Sequence, residues 1–413
     1  MTAFYDALET RDPAAREASQ FECLRAGLAR ALTAASGLAA HLEGHDPASI
    51  ADRTALARLP VLRKTALAER QRAAPPLGGL TTVDPRALRH VFMSPGPIFE
   101  PGGDGHDWWR FGRALHAAGI GPGDLLHNCF AYHLTPAGMM VENGARAVGA
   151  AVFPGGVGNT EAQVQAAAHL RPEAWTGTPD FLKLILDKAV ETGVDLSSIR
   201  KALVSGGALF PSLRRDYADR GVAVLQCYAT ADLGLIAYES PAMEGMIVDE
   251  SVIVEIVRPG TGDPVAEGEV GEVVVTSLNP DYPLVRFATG DLSAILPGAS
   301  PCGRTGPRIK GWMGRADQTT KIKGMFVRPE QVAEIVARHP EVAKARLTVR
   351  REGEQDAFEV AFETGTCDDA FVAALGESVQ AVLKLKGAVR LVAPGALPND
   401  GKVIDDQRQY GAG

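Results

Sequence analysis

Between Leu125 and Tyr228 short apolar runs alternate with amphipathic helical segments, and no other feature of the chain constrains its fold as strongly. LLHNCFAY reads as a strand, AGMMVENGARAVG as a helix and AAVFP as the next strand. The following segment opens with NTEAQ, where Thr160 and Gln163 have the spacing of a capping box. In GTPDFLKLILDKAVETG, Thr178 can cap, Pro179 suits the first helical position, and Leu182, Ile185, Leu186 and Ala189 share one face. The strand KALVS, a Gly-Gly turn, the helix SLRRDYADRG and the strand VAVLQCY complete the run. Strands joined through helices pair in parallel, so the expected class is α/β.

The flanks differ. Residues before about 90 read as Ala-rich helices broken by Pro47, Pro60, Pro75 and Pro76. MSPGPIFEPGGDG, from Met93 to Gly105, is too rich in Gly and Pro for a helix or a central strand and reads as a shaped loop. A helix should follow with Trp108, Phe111 and Leu115 on one face, stopped by GIGPGD. Beyond Pro241, SVIVEIV and GEVVVTS are β-rich runs flanking a hairpin-like connection, a smaller antiparallel unit attached to the first domain. From GRADQTTKIKG onward the order becomes strand, helix, two strands, helix, strand, with Val332, Ile335 and Val336 on one helix side. A length of 413 residues exceeds what one core usually serves, so two domains are expected, residues 1–316 and 317–413.

Composition excludes several classes. A formal net charge of −8 argues against a general nucleic-acid binder, which needs clustered Lys and Arg. No secretory signal is read at the N-terminus, and no run approaches the roughly 18 to 20 apolar residues of a membrane span. The five cysteines are widely spaced and odd in number, which suits a reducing cytoplasm and no disulfide framework.

Four loops carry chemical groups. In LVSGGALFP, Gly206 and Gly207 sit between strand and helix, where backbone can approach a flat ligand; for an isolated Gly pair a plain tight turn is the commoner explanation. QCYATADLG places Tyr228, Thr230 and Asp232 just past a strand end, where α/β sheets bind ligands; the alternative is a capped helix start. VRFATGDLS offers Asp291, a carboxylate that can accept hydrogen bonds from a vicinal diol, or an ordinary turn residue. LPNDGKVIDD carries Lys402 on a Gly-containing loop, where an ammonium can meet developing phosphate charge or simply face solvent.

Taken in this order, the segments resemble the phenylacetate–CoA ligase family of adenylate-forming enzymes. The strongest likeness lies in GEVGEVVVTSLNPDYPLVRFATGDLSAILPG and PCGRTGPRIKGWMGRADQTTKIKGMFVRPEQVAE. The resemblance implies a large N-terminal α/β domain with an attached β-rich unit, and a small mobile C-terminal α+β domain. It implies activation of a small, aromatic carboxylic acid with ATP and Mg2+, then transfer of the acyl group to coenzyme A. By position, Gly206, Gly207 and Ala208 look like the adenine-contacting turn, Tyr228 like the ring stacked on adenine, and Asp291 with Arg315 like the ribose ligands. Asp317 looks like the hinge and Lys402 like the adenylation lysine. Lys321, Lys323 and Gly324 lie on the loop that faces the thiol tunnel. Phe130, Tyr132, His133 and Phe153 would line the acid pocket, although Phe130 and Phe153 suit core packing equally. The family also suggests a homodimer.

The chain departs from the family at two loops. Where relatives carry a Ser/Thr/Gly-rich phosphate loop ending in Gly-Lys, SPGPIFEP offers two prolines without N–H groups and Glu100, which would repel a triphosphate. After Tyr228, Ala231 lacks the family's hydroxyl, and the magnesium carboxylate becomes Asp232, one methylene shorter. Some relatives hold zinc near the PCGR segment; here Cys302 is accompanied by Ser240 and Ile247, a poor ligand set. Two other readings therefore stand beside the CoA ligase. One is a non-catalytic relative binding nucleotide, acyl-adenylate or acyl-CoA. The other is an adenylation enzyme loading an acyl carrier protein.

Overall fold

The structure is a computed structural model and describes residues 3–207, 209–316, 318–322, 325–352, 355–398 and 402–408. In chain order the first strands are β1 (Leu62–Arg63), β2 (His90–Ser94), β3 (Ile98–Gly102), β4 (Leu125–Asn128), β5 (Ala151–Pro154), β6 (Ala174–Gly177), β7 (Lys201–Val204) and β8 (Ala223–Thr230). They continue with β9 (Gly234–Glu239), β10 (Met246–Val248), β11 (Val252–Val257), β12 (Gly271–Ser277), β13 (Phe287–Ser293), β14 (Ile295–Leu296) and β15 (Arg308–Ile309). Of these, β2 and β3 pair only with each other.

Nine strands form one mixed sheet in the order β14-β15-β10-β9-β8-β7-β6-β4-β5. The alternating half is parallel, as the sequence implies: β4 pairs in parallel with β5 and β6, β6 with β7, and β7 with β8. Its two faces bury different neighbours because side chains alternate along each strand. Leu126, Ala174, Leu203 and Leu225 pack with Met140, Val141 and Ala145 of helix Ala137–Val148. Trp175, Val204 and Val224 pack with Val164 of helix Thr160–Leu170 and with Leu182 and Ile185 of helix Pro179–Thr192. From β8 onward the sheet turns antiparallel, through β9, β10, β15 and β14.

A second sheet has the order β1-β13-β12-β11. The expected antiparallel unit is thus incomplete as read: β1, from the N-terminal segment, adds in parallel to β13 through Leu62↔Phe287 and Arg63↔Ala288. A two-residue strand 225 positions from its partner leaves no periodic trace in sequence. Two local readings also change. The Met93–Gly105 segment is largely an antiparallel hairpin of β2 and β3 rather than an irregular loop. Pro101 is tolerated because β3 has an unpaired edge. Trp108 precedes its helix, which starts at Phe111 after Arg110 in the left-handed region at φ 68°.

Near the C-terminus, Val342–Glu352 and Gln355–Thr364 pair antiparallel, flanked in parallel by Ala388–Val392 and Ile404–Asp406. Helices Pro329–Ala337 and Asp369–Leu383 cover this sheet with Val332, Ile335, Leu375, Val379 and Leu383 buried. The chain divides into two compact units: Met1–Val254, Val274–Thr289 and Ile295–Trp312 form the first; Glu255–Val273, Gly290–Ala294 and Met313–Gly413 form the second. Among the described residues no helix is long and apolar enough to cross a membrane.

The turn from β8 to β9 depends on Gly234, whose φ is +74° and whose added Cβ would lie 2.8 Å from the Trp109 carbonyl oxygen. Gly234→Ala should cost about 2 kcal/mol from strain and overlap together, read as a lower urea midpoint at unchanged slope.

Candidate active site

The loops beyond the carboxyl ends of the parallel strands hold most of the groups singled out in the first unit. After β4 the chain runs on to β5 at the sheet edge, and β6 then lies on the other side of β4. Such a reversal opens a crevice beyond the strand ends. Asn128, the last residue of β4, fastens its loops. Its amide donates to Tyr132 Oη at 2.7 Å and to the Gly138 carbonyl at 2.9 Å, while its own oxygen accepts from Thr176 Oγ1 at 3.1 Å. Gly138 is required there, since a Cβ would come within 2.6 Å of the Ala131 carbonyl oxygen.

Gln163 fastens the loop after β5. Its amide donates to the carbonyls of Gly156 and Gly158 at 3.0 and 2.6 Å, so its oxygen faces His127 Nε2 at 2.8 Å. The Thr160–Gln163 capping box is therefore not formed, because these long-range partners win. Burial lowers His127 to about 4, the Gln163 bond opposing only in part, and the ring is neutral near pH 7. The Phe153 ring lies 4.9 Å from the His127 ring, and Phe130 packs on the core while remaining partly accessible. Tyr132 is half-buried and His133 exposed. Of the acid-pocket candidates, Phe130, Tyr132 and His133 thus follow β4 and Phe153 lies in the edge strand β5, with Asn128, His127 and Gln163 as supports that the sequence does not reveal.

Tyr228 is buried on β8 and donates its hydroxyl to Thr289 Oγ1 at 3.0 Å. Gly206 has φ +72°, which fits a turn that brings backbone outward after β7. Thr230 Oγ1 accepts the Leu233 N–H at 3.2 Å, so it shapes the β8–β9 turn; no helix starts there.

Asp232, in that turn, is the most consequential side chain of the first unit. Its carboxylate is fully buried and pairs through Oδ2 with Lys64 Nζ at 2.6 Å, while Oδ1 has no hydrogen-bond partner. Lys64 is the first residue of helix Lys64–Ala73, directly after β1. From the same helix Gln71 grips both backbone groups of Phe99, accepting its N–H at 2.9 Å and donating to its carbonyl at 2.7 Å. The next residue, Glu100, is wholly buried. Burial first, and the nearby Asp232 second, push Glu100 up to about 7, against the favourable Ser94 and Lys64. Burial and both carboxylates likewise raise the Tyr282 hydroxyl. Lys64 and Tyr282 emerge only from the fold, whereas Glu100 is marked in the sequence by its charge and gains its buried neighbours from the fold.

Ser240, Ile247 and Cys302 do come together. Burial favours the Cys302 thiol, but hydrogen bonds from Ser240, Ser300 and Arg304 outweigh it and bring the sulfur down to about 7. Ile247 belongs to the apolar cluster on which Cys302 packs. Among the described residues no group of three or more His, Cys, Asp or Glu is placed to hold a metal ion.

In the second unit, Arg315 Nη1 donates to Asp291 Oδ1 at 2.8 Å, and their backbones form an isolated bridge. Gly290 leaves room for this, since a Cβ there would lie 2.7 Å from the Arg315 guanidinium. Lys402 is half-exposed with Nζ 3.0 Å from Asp405 Oδ1. Lys321 lies in the strand Thr320–Ile322. Ala208, Asp317, Lys323 and Gly324 lie outside the described residues.

Removing the ammonium at residue 64 leaves the Asp232 charge buried without its partner. Lys64→Met should cost about 2 kcal/mol of unfolding free energy, less than a fully buried pair because Lys64 reaches solvent. Asp232→Asn should recover most of that loss in the double variant, measured by urea unfolding.

The AMP-binding enzyme family pattern matches residues 116–279. A phenylacetate-coenzyme A ligase of Thermus thermophilus is 32% identical over 355 residues, 81% of this chain and 77% of that protein. The phenylacetate-coenzyme A ligase of Aromatoleum evansii is 27% identical over 69% of this chain and 68% of its own. Among solved structures, 2-hydroxyisobutyryl-CoA ligase in complex with 2-HIB-AMP and CoA matches with a TM-score of 0.72 at 25% identity, covering 99% of this chain and 93% of that one. With fold, strand-end loops and relatives in agreement, this chain belongs to the phenylacetate–CoA ligase family of adenylate-forming enzymes.

Proposed function

We propose that this chain is an AMP-forming acid–thiol ligase that activates a small carboxylic acid with ATP and passes the acyl group to coenzyme A. The observation that carries this is the likeness to a phenylacetate-coenzyme A ligase across 77% of that protein's length. A carboxylate is a poor acylating agent because its leaving group would be oxide. Attack of its oxygen on the α-phosphorus of ATP expels pyrophosphate and gives an acyl-adenylate. The thiolate of coenzyme A then attacks the acyl carbon, and AMP leaves with the oxygen that came from the acid.

The chain's own residues support assigned parts. Asn128 and Gln163 hold the loops after β4 and β5 rigid, which is what a specificity pocket needs. Phe130, Tyr132 and Phe153 offer aromatic surface to an aryl acid, and the neutral His127 avoids placing a cation beneath it. The Tyr228 ring is the adenine platform, with Gly206 and Gly207 beside it. Asp291 and Arg315 are the ribose pair, and Lys402 is the lysine that meets the α-phosphate. Mg2+ fits Asp232, whose Oδ1 is a buried oxygen without a hydrogen-bond partner. The ion would supply positive charge against the phosphates when bound.

One observation favours a second reading. A wholly buried Glu100 occupies the hairpin where relatives keep a phosphate loop, which suits a protein that binds an adenylate without making one. The deciding experiment is AMP release across aryl and alkyl acids, with and without coenzyme A. AMP formation requiring both acid and coenzyme A supports the ligase; nucleotide binding without turnover supports the binder. AMP formed only with a carrier protein would change the acceptor. Lys402→Ala should lower adenylation at least ~100-fold yet leave thioester formation from supplied acyl-adenylate largely intact. Equal loss of both steps would contradict its role.

A further inference from the structure

Helix Pro329–Ala337 buries Val332 and Ile335, but its Ala333 and Val336 are only partly covered. Both line a cavity of about 60 Å³ that lies wholly within the second unit. Val265 and Val270, from the connection between β11 and β12, complete it with Val403, the residue after Lys402. Backbone fixes these walls. The connection closes on itself through the Arg258 N–H to the Asp263 carbonyl at 2.7 Å and the Gly262 N–H to the Arg258 carbonyl at 3.0 Å. Gly260, at φ +93°, lets it lie against the helix, since a Cβ there would come 3.2 Å from Ala333 Cβ and 3.1 Å from the Pro329 carbonyl oxygen.

The charged groups of the lining are unbalanced. Arg258, Lys344 and Lys402 face the cavity against one carboxylate, Glu269, a net charge of +2 in a chain whose own net charge is −8. Neither lysine is locked in place. Lys344 Nζ donates to the Pro398 carbonyl at 3.2 Å from an exposed position. Lys402 is half-exposed with Nζ 3.0 Å from Asp405 Oδ1. Asp405 does not depend on it, because Oδ2 pairs with Arg346 at 3.1 Å and accepts from Gln407 Nε2 at 2.7 Å. Lys402 can therefore turn to another anion without leaving Asp405 unanswered. A cavity apolar within and cationic in its polar groups selects an amphipathic anion. A bare anion gains nothing from the valines, and a neutral apolar molecule leaves the ammoniums without a partner.

We propose that this cavity binds a small carboxylic acid with a branched or aromatic body, its body among Val265, Val332 and Val336 and its carboxylate on Lys402 and Lys344. The site is distinct from the loops after β4 and β5, which belong to the first unit. On binding, Lys402 exchanges the Asp405 carboxylate for that of the ligand. Under the ligase reading this withdraws the ammonium from the α-phosphate, so an excess of acid slows its own activation. Only that consequence rests on the ligase reading; binding of the acid does not.

The test is acetylation of the full chain by a water-soluble acetyl ester at mildly alkaline pH, with each lysine followed by mass spectrometry and no nucleotide or coenzyme A present. Phenylacetate is the probe, and the exposed Lys188 and Lys386, outside the cavity lining, are the internal references. Phenylacetate should slow acetylation of Lys402 saturably, by at least ~5-fold well above its dissociation constant, with the references unchanged. Acetate, which lacks the body, and phenylacetamide, which lacks the charge, should not protect at the same concentrations. Ala333→Trp fills the cavity and should abolish protection, with circular dichroism as the check on folding. If that variant does not fold, Lys344→Glu decides: it should raise the half-protecting concentration several-fold. No saturable protection in wild type overturns the proposal, as does wild-type protection in folded Ala333→Trp or an unchanged response in Lys344→Glu. Acid-dependent AMP release is not part of this readout, so failure of the ligase assay and failure of this site are told apart.

Discussion

A carboxylate cannot be buried without an answering charge, and the pair of Asp232 with Lys64 shows how much of the first unit is arranged around that rule. Lys64 reaches the turn only because β1 is fastened in parallel to β13, 225 residues away in sequence. The same helix that presents Lys64 positions Glu100 through Gln71. One short strand and one helix thereby join the N-terminal segment, the β2–β3 hairpin and the β8–β9 turn into a single electrostatic unit.

The parallel sheet supplies the other half of the framework. Its switch between β5 and β6 leaves loops at the strand ends that lack regular backbone partners, and buried amides fill that role. Asn128 satisfies groups from three segments, and Gln163 ties the loop of Gly156 and Gly158 to His127 on β4. Such brackets rigidify loops without covering them, which suits a surface that must accept an acid. In the second unit Arg315 pairs with Asp291 and Lys402 with Asp405.

What the sequence discloses follows from how local each signal is. The helices around Leu182 and Val332 and the strands from β4 to β8 are legible because their burial follows a short period. Gln163 has the spacing of a cap, but its actual partners, His127 and two carbonyls, are set by the fold and not by spacing. Trp108 fits the apolar face of a helix that begins three residues later, since the left-handed Arg110 leaves no mark in an apolar pattern. Glu100 is visible as a charge out of place, but its burial and its neighbours Asp232 and Tyr282 are purely tertiary. Family likeness rather than periodicity points to Tyr228, Asp291, Arg315 and Lys402.

The proposed chemistry stands on a carboxylate oxygen attacking the α-phosphorus of ATP. The direct measurement is to supply the acid with 18O in its carboxylate, together with ATP and coenzyme A, and to weigh the nucleotide product. One labelled oxygen in AMP is the result this mechanism requires. Unlabelled AMP, or label carried into inorganic phosphate alongside ADP, would contradict it.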